Sequence, residues 1–140
     1  MVDQKEIAGI FTDFLGLYNG KLNIGIRALC EKYEKHPMLM GLLTNMEDAA
    51  EIEVPQAMKE IYAFYKEYRG KDLTDKDWEV IVEKVRQMVK DRKENLWYRR
   101  VILEIVNLLE DDDRERRRIA KEVEKEMEEA EMAAGQQEAA

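Results

Sequence analysis

Few residues of this chain have the cysteine or histidine side chains that bind transition metals. There is one cysteine, Cys30, and one histidine, His36. A structural zinc site uses about four cysteine or histidine ligands, and a catalytic zinc site about three with one open position. Neither residue has a partner at a suitable spacing, so we interpret Cys30 as a buried thiol and His36 as a helix-boundary residue. The sequence therefore predicts no bound metal and no cofactor.

Serine nucleophiles and histidine bases are also scarce, and carboxylates are so abundant, with 31 Asp and Glu, that no single pair stands out as catalytic. The chain has no serine, which removes serine nucleophiles, and a single histidine leaves most catalytic triads without a base. A di-metal carboxylate bundle would need a Glu-x-x-His motif, but Tyr33 stands three residues before His36. We therefore predict that the protein is not an enzyme.

Two segments resemble ligand-binding loops only superficially. Gly16 and Gly20 are separated by three residues where a phosphate loop has four, and Lys21 is followed by leucine where a magnesium ligand is needed. The acidic residues at positions 72, 75 and 77 lack the glycine that turns a calcium loop. Helix ends explain both segments better, as a C-terminal turn in the first and an N-terminal cap in the second.

Composition predicts one all-α domain. The chain has 140 residues, of which 45% are hydrophobic and 39% are charged, with only two prolines and seven glycines. Helix surfaces accommodate glutamate, lysine and arginine at high density, whereas a β-sandwich needs many turns. A single cysteine and the absence of a signal-peptide pattern predict a reducing, cytoplasmic location. The longest apolar run, residues 101–109, is too short to span a membrane.

Capping residues predict where the first helices begin and end. Asp3 suits an N-cap, Val2 and Ile7 are spaced as a hydrophobic staple, and Asn19-Gly20 ends the apolar stripe that follows. Further helices are predicted between Leu22 and Tyr33, from Pro37, in a short piece capped by Thr44, and between Pro55 and Gly70.

The clearest helix start is the pair Thr74 and Asp77, which has capping-box spacing. After a break at Asn95, residues 96–109 are apolar on almost every side, which predicts a central helix surrounded by the others. The residues expected to be buried on these last two helices are Trp78, Val82, Val85, Val89, Ile102, Ile105 and Leu109.

Charge follows the helices in blocks. A basic stretch at residues 84–100 precedes the apolar run, and an acidic stretch and an arginine cluster come after it. The net charge is −8, but residues 119–140 alone carry seven acidic and two basic side chains. Most of the acidity therefore belongs to the C-terminal tail and not to the predicted bundle.

These patterns divide the chain into a bundle of about six helices (1–112), a charged helical arm (113–132) and a disordered tail (133–140). Acid-before-base pairs at i, i+4 favour a helical arm. Its narrow apolar line is too thin to be buried in a monomer core, so we expect it to bind another protein or to form a homodimer. The predicted partner-binding residues are Ile119, Val123, Met127, Glu122 and Glu126.

The resulting functional hypothesis is a non-enzymatic interaction or regulatory protein that binds another protein. The alternative is a small acidic inhibitor, of the phage or mobile-element type, that occupies the nucleic-acid-binding groove of a nuclease or similar enzyme. Direct nucleic-acid binding is disfavoured because the acidic tail opposes phosphate, and we interpret Trp97 as a core residue and not as a stacking platform. Were direct binding to occur, the basic face would be Arg86, Lys90, Lys93, Arg99 and Arg100.

Overall fold

The computed structural model describes the backbone of residues 3–139 and the side chains of residues 3–134. Within this part of the chain the regular structure is entirely helical, which confirms the all-α prediction. Residues 3–139 form seven helices where about six were expected, and the short helical piece predicted in the forties is one of them. They are α1 (Gln4–Tyr18), α2 (Ile26–Lys32), α3 (Pro37–Leu42), α4 (Met46–Ala49), α5 (Val54–Tyr68), α6 (Asp75–Asp91) and α7 (Leu96–Ala139).

Several helix ends lie where the sequence places them. The Asp3 carboxylate accepts hydrogen bonds from the backbone N–H groups of Lys5 and Glu6, and so caps α1. Val2, the other half of the expected staple, lies outside the described residues. The capping box at α6 is complete, since the side chains of Thr74 and Asp77 each accept from the other's backbone N–H. These local signals work because capping needs only groups three residues apart.

The segment between α1 and α4 departs from the expectation. The second helix was expected from Leu22, but it begins at Ile26, after a segment of residues 21–25 without regular structure and an extended backbone at Gly25. The N-cap position of the short helix α4 is Asn45, which is left-handed with φ 57° and makes no side-chain capping bond. Thr44, the predicted cap, instead donates its hydroxyl to the Met40 carbonyl. Asparagine tolerates this conformation better than threonine does.

The two residues singled out for metal chemistry have structural roles. His36 caps α3, because its Nδ1 accepts from the backbone N–H of Met38 at 3.0 Å, as expected of a helix-boundary histidine. The thiol of Cys30 was expected to be buried, but Cys30 is only half-buried at the edge of the core. Among the described residues, no group of three or more His, Cys, Asp or Glu is arranged to hold a metal ion.

Helix α7 is the centre of the bundle, as predicted. Its first half packs against α3, α4, α5 and α6. Trp97 is fully buried, and its indole N–H donates to the Leu42 carbonyl at 2.8 Å, so this aromatic residue belongs to the core. The other fully or nearly fully buried residues of α7 include Tyr98, Val101, Ile102, Ile105 and Leu109.

The expected core of α6 needs correction. Val82 was expected to be buried but exposes 45% of its surface, and Trp78, Val85 and Val89 are only half-buried. Ile81 is the one residue of α6 that is fully buried. An apolar stripe shows which face of a helix can be buried, but not how much of that face is buried. Because α6 packs at the edge of the bundle, its neighbours cover only one side of its stripe.

A partly buried polar cluster joins α5, α7 and the turn after α6. The Glu60 carboxylate accepts from Arg92 Nη2 at 2.5 Å and from the Tyr98 hydroxyl at 3.4 Å. Burial, followed by the nearby Glu60 charge, raises the pKa of Tyr98 from 10.0 to about 12. The phenol is therefore held neutral well above the pH at which an exposed tyrosine ionises.

This raised pKa makes stability depend on alkaline pH. In the unfolded chain Tyr98 ionises near pH 10, whereas in the folded protein it ionises at about 12. We expect its contribution to stability to be intact below about pH 10 and to be lost as the pH rises towards 12. In an ultraviolet phenolate titration, Tyr98→Phe should remove the latest-titrating component. If that component is the same in both proteins, Tyr98 is not its source.

Candidate functional site

Helices α6 and α7 form an antiparallel hairpin with an unusual turn. Lys93 and Glu94 are consecutive residues with positive φ, 54° and 55°. Asn95 stabilises the turn on both sides, since its side-chain oxygen accepts from the N–H of Tyr98 at 3.0 Å and its amide donates to the Asp48 carbonyl at 2.8 Å. The turn is thus tied to the bundle, and it fixes how the two helices leave it.

The other end of the hairpin is held by a second set of polar contacts. The indole N–H of Trp78 donates to Asp113 Oδ2 at 3.3 Å, and Arg117 Nε lies 3.2 Å from the same oxygen. Arg117 also donates to the Leu73 carbonyl at 3.1 Å. Asp113 is buried, so the stretch around residues 113–117, placed in the arm by the sequence, is anchored to α6.

Between these two ends lies an open groove of about 900 Å³. Its floor is aliphatic, and two of its residues, Val82 and Leu103, expose 45% and 42% of their surface. Exposed apolar surface gathered in a concave site is a common mark of a binding site. The floor consists of Ile81, Val82, Val85, Val89, Leu103 and Val106, and the charged residues around it are Arg86, Lys90, Lys93, Glu94 and Arg99.

The rim of this groove is strongly basic, with four cationic side chains and one carboxylate. Arg86 lies 3.5 Å from Glu83, but both side chains are 74% exposed, so this ion pair neutralises the rim only weakly. Within the described residues, Lys90, Lys93 and Arg99 form no ion pair. The groove therefore combines an apolar floor with positive charge available to a ligand.

Four of the five residues of the predicted basic face meet at this rim. The exception is Arg100, which is not part of the groove and lies 3.2 Å from the buried carboxylate of Glu104. Sequence analysis missed the floor. Val82 was assigned to the core, and Leu103 appeared as one more apolar residue of a helix apolar on almost every side. The apolar residues around the whole of α7 could have indicated the groove, because α6 alone does not supply enough neighbours to cover a helix that is apolar on every side.

Helix α7 continues past the bundle without a break to Ala139. Of the three i, i+4 pairs that the sequence predicts here, two are formed, Asp112 with Arg116 at 2.7 Å and Asp113 with Arg117 at 3.2 Å. Glu110 and Arg114, the third predicted pair, form no ion pair in the described residues. The helical backbone includes residues 133–139, for which the sequence predicted a disordered tail, and Ala140 lies outside the described residues. The arm predicted at residues 113–132 is anchored to α6 at its start, whereas residues 119–134 are all exposed, and we restrict the name arm to residues 119–134.

The apolar stripe of the arm continues the buried face of α7. At about 100° per residue, Ile119 and Met127 lie within roughly 40° of Val123 around the helix, and so do Ile105 and Leu109 of the core. Yet Ile119, Val123 and Met127 are 38%, 48% and 61% exposed. The same stripe is thus covered inside the bundle and uncovered on the arm.

Carboxylates flank the arm stripe on both sides. By the same helical geometry, the two lysines of the arm lie at about 160° from Val123, on the opposite side of the helix. Glu122 also makes an exposed contact with Arg118 at 3.4 Å. The flanking residues are Glu122 and Glu126 on one side and Glu124 and Glu131 on the other, and the opposing lysines are Lys121 and Lys125.

None of the described helices has an apolar stretch long enough to cross a membrane. Comparison with protein-family models, with curated proteins and with solved structures finds no match to this chain.

Proposed function

We propose that the protein is a non-enzymatic interaction protein whose α6–α7 groove binds an amphipathic helix of a partner protein. The observation that carries the proposal is the pairing of an aliphatic floor with a basic rim in one groove. A helix that presents apolar side chains along one face, with carboxylates beside them, matches both parts of this surface. Helix-in-groove recognition of this kind uses anchors at i, i+3, i+4 and i+7.

The two parts of the groove make different contributions to binding. Full burial of a valine or leucine side chain stabilises by about 1.5–3 kcal/mol, so covering the exposed fractions of Val82 and Leu103 contributes on the order of 1 kcal/mol each. The rim cations speed encounter with an acidic partner and select against a basic one. Apolar contact therefore supplies affinity, and charge supplies selectivity and orientation.

Nucleic acid is the competing ligand for a basic rim, since Arg86, Lys90, Lys93 and Arg99 could all contact phosphates. The floor favours a peptide over a phosphate backbone. Its aliphatic side chains offer no hydrogen bond to phosphate or sugar and no aromatic ring for a base to stack on. Duplex DNA is consequently a required competitor in the test.

The test is binding of a designed, fluorescently labelled, acidic amphipathic helical peptide, followed by fluorescence anisotropy. We expect Val82→Glu to weaken binding by about tenfold or more, because it places a carboxylate on the apolar floor. Val80→Glu is the matched control, since Val80 is 52% exposed on the same helix but does not line the groove. It should bind the peptide as the wild type does.

Two results would contradict the proposal. One is equal binding of the designed peptide and of a peptide with the same composition but a scrambled apolar stripe. The other is tighter binding of duplex DNA than of the peptide, with the same loss in Val82→Glu, which would make the groove a nucleic-acid site. Circular dichroism of both variants checks that the fold is intact.

A further inference from the structure

We propose that the helix bound in the groove is the arm of a second copy of this chain, so that the protein self-associates head to tail. This inference rests on the proposed function, because it requires the groove to bind an acidic amphipathic helix. It adds the identity of the partner. The arm is a helix of that description, and it is exposed along its whole length.

Charge complementarity is the first support. The arm stripe of Ile119, Val123 and Met127 has carboxylates on both flanks, with its lysines on the far side of the helix. The groove floor has cations around it. When the stripe contacts the floor, the flanking glutamates face the rim cations, and the arm lysines face solvent. Opposite charges then surround an apolar contact, which is the arrangement that favours specific association.

The dimensions of the two surfaces also agree. At 1.5 Å per residue, the stripe from Ile119 to Met127 is about 12 Å long. With the same rise per residue, the floor residues of α6 from Val82 to Val89 extend over about 10.5 Å. Three anchors one turn apart thus extend over the length of the floor.

The arm of the same molecule is excluded as the occupant. The α7 side of the groove, which we call the groove wall, consists of Arg99, Leu103 and Val106. These residues belong to the same unbroken helix as the arm. A continuous helix cannot fold back on its own first half. A bound arm therefore comes from another copy.

Pairing of two arms with each other, the homodimer expected from the sequence, is electrostatically disfavoured. An arm–arm contact through the apolar stripe would bring the flanking glutamates of both copies together, among them Glu122 and Glu126. Like charges across a contact are destabilising, and the lysines lie too far around the helix to offset them. The groove offers the opposite charge, and for that reason we assign the arm to it.

The contact is heterologous unless two copies exchange arms reciprocally, and such an exchange would need the groove wall and the arm stripe to face the same neighbour. On α7 the groove wall and the arm stripe lie roughly 100–160° apart around the helix, so one copy can donate its arm and accept another at once. Such contacts build rings or chains and do not stop at a two-fold dimer. The average mass in solution should therefore rise with concentration.

Sedimentation velocity of the full chain over a range of concentrations tests the proposal. We expect the wild type to associate, and we expect Val82→Glu (a blocked groove) and Val123→Glu with Met127→Glu (a blocked arm) to remain monomeric. Val80→Glu, outside the groove, should associate as the wild type does. Raising the salt concentration should weaken association, because the rim and flank charges are exposed.

Mixing the two blocked proteins gives the decisive result. The arm-blocked protein keeps an intact groove, and the groove-blocked protein keeps an intact arm, so the mixture should form one contact and stop at a 1:1 heterodimer. A wild type that stays monomeric at all concentrations, or an arm-blocked protein that still associates, would overturn the inference. If the designed peptide binds the groove while the chain stays monomeric, only the identity of the partner is wrong. If neither binds, the proposed function fails as well.

Discussion

Leu109→Ala should lower the free energy of unfolding by about 2–5 kcal/mol, because the side chain is 2% exposed in the core of α7 and its loss leaves a cavity. Leu103→Ala, the same substitution on the same helix, is the matched control. Leu103 is 42% exposed in the groove of the single chain, so at concentrations where the protein is monomeric we expect a change of about 0.5 kcal/mol. Urea unfolding followed by circular dichroism measures both differences.

The comparison separates burial from helix propensity, because both variants replace leucine with alanine inside one helix. Equal losses at the two positions would contradict the described packing of α7. A large loss of unfolding free energy at Leu103 would mean that its side chain is covered in solution. The oligomeric state of the wild type under the same conditions would then show whether a second copy covers it.

Gly41→Ala should destabilise the protein by about 1–3 kcal/mol, although alanine in a helix is normally favourable over glycine by roughly 0.5–1 kcal/mol. The reason is the close approach of α3 to α7. A Cβ atom at Gly41 would lie 2.7 Å from Cγ of Glu104, too close unless the Glu104 side chain or one of the two helices shifts. Glu104 is buried and held by Arg100, so its side chain has little room to move.

The sign of this effect can be reversed by a second substitution. In a Glu104→Ala background the clash with Cγ disappears, and the remaining Cβ–Cβ separation of 3.6 Å is an ordinary contact. Gly41→Ala should then be neutral or stabilising, as helix propensity predicts. The measurement is thermal or urea unfolding of the four proteins of the double-mutant cycle. If Gly41→Ala destabilises equally in both backgrounds, Glu104 is not the obstacle.

Helix ends were the most predictable part of the fold. Asp3, Thr74 and Asp77 cap helices as the sequence indicates, because a cap involves groups within three residues of each other. Predictions that depended on a choice between two local partners were weaker. The sequence indicates Thr44 as the cap of α4, but the N-cap position is Asn45, and the Thr44 hydroxyl bonds to the Met40 carbonyl instead.

The candidate site was predictable only in pieces. The basic residues of 84–100 and the apolar stripe of α6 are both visible in the sequence. Their meeting in one groove depends on the angle and spacing between α6 and α7. Those are set by the positive-φ turn at Lys93 and Glu94 and by the contact of Trp78 with Asp113, 35 residues away along the chain.

By itself the sequence determined the helical class, the position of most helices, the central place of α7 and the amphipathic character of the arm. These follow from spacing and capping, which act over one or two turns. Only the tertiary structure decided which apolar faces are covered. Ile105 and Val123 lie on the same side of α7, yet one is buried and the other is 48% exposed. Burial depends on what packs against a helix, and that is a property of the whole chain and not of the stripe.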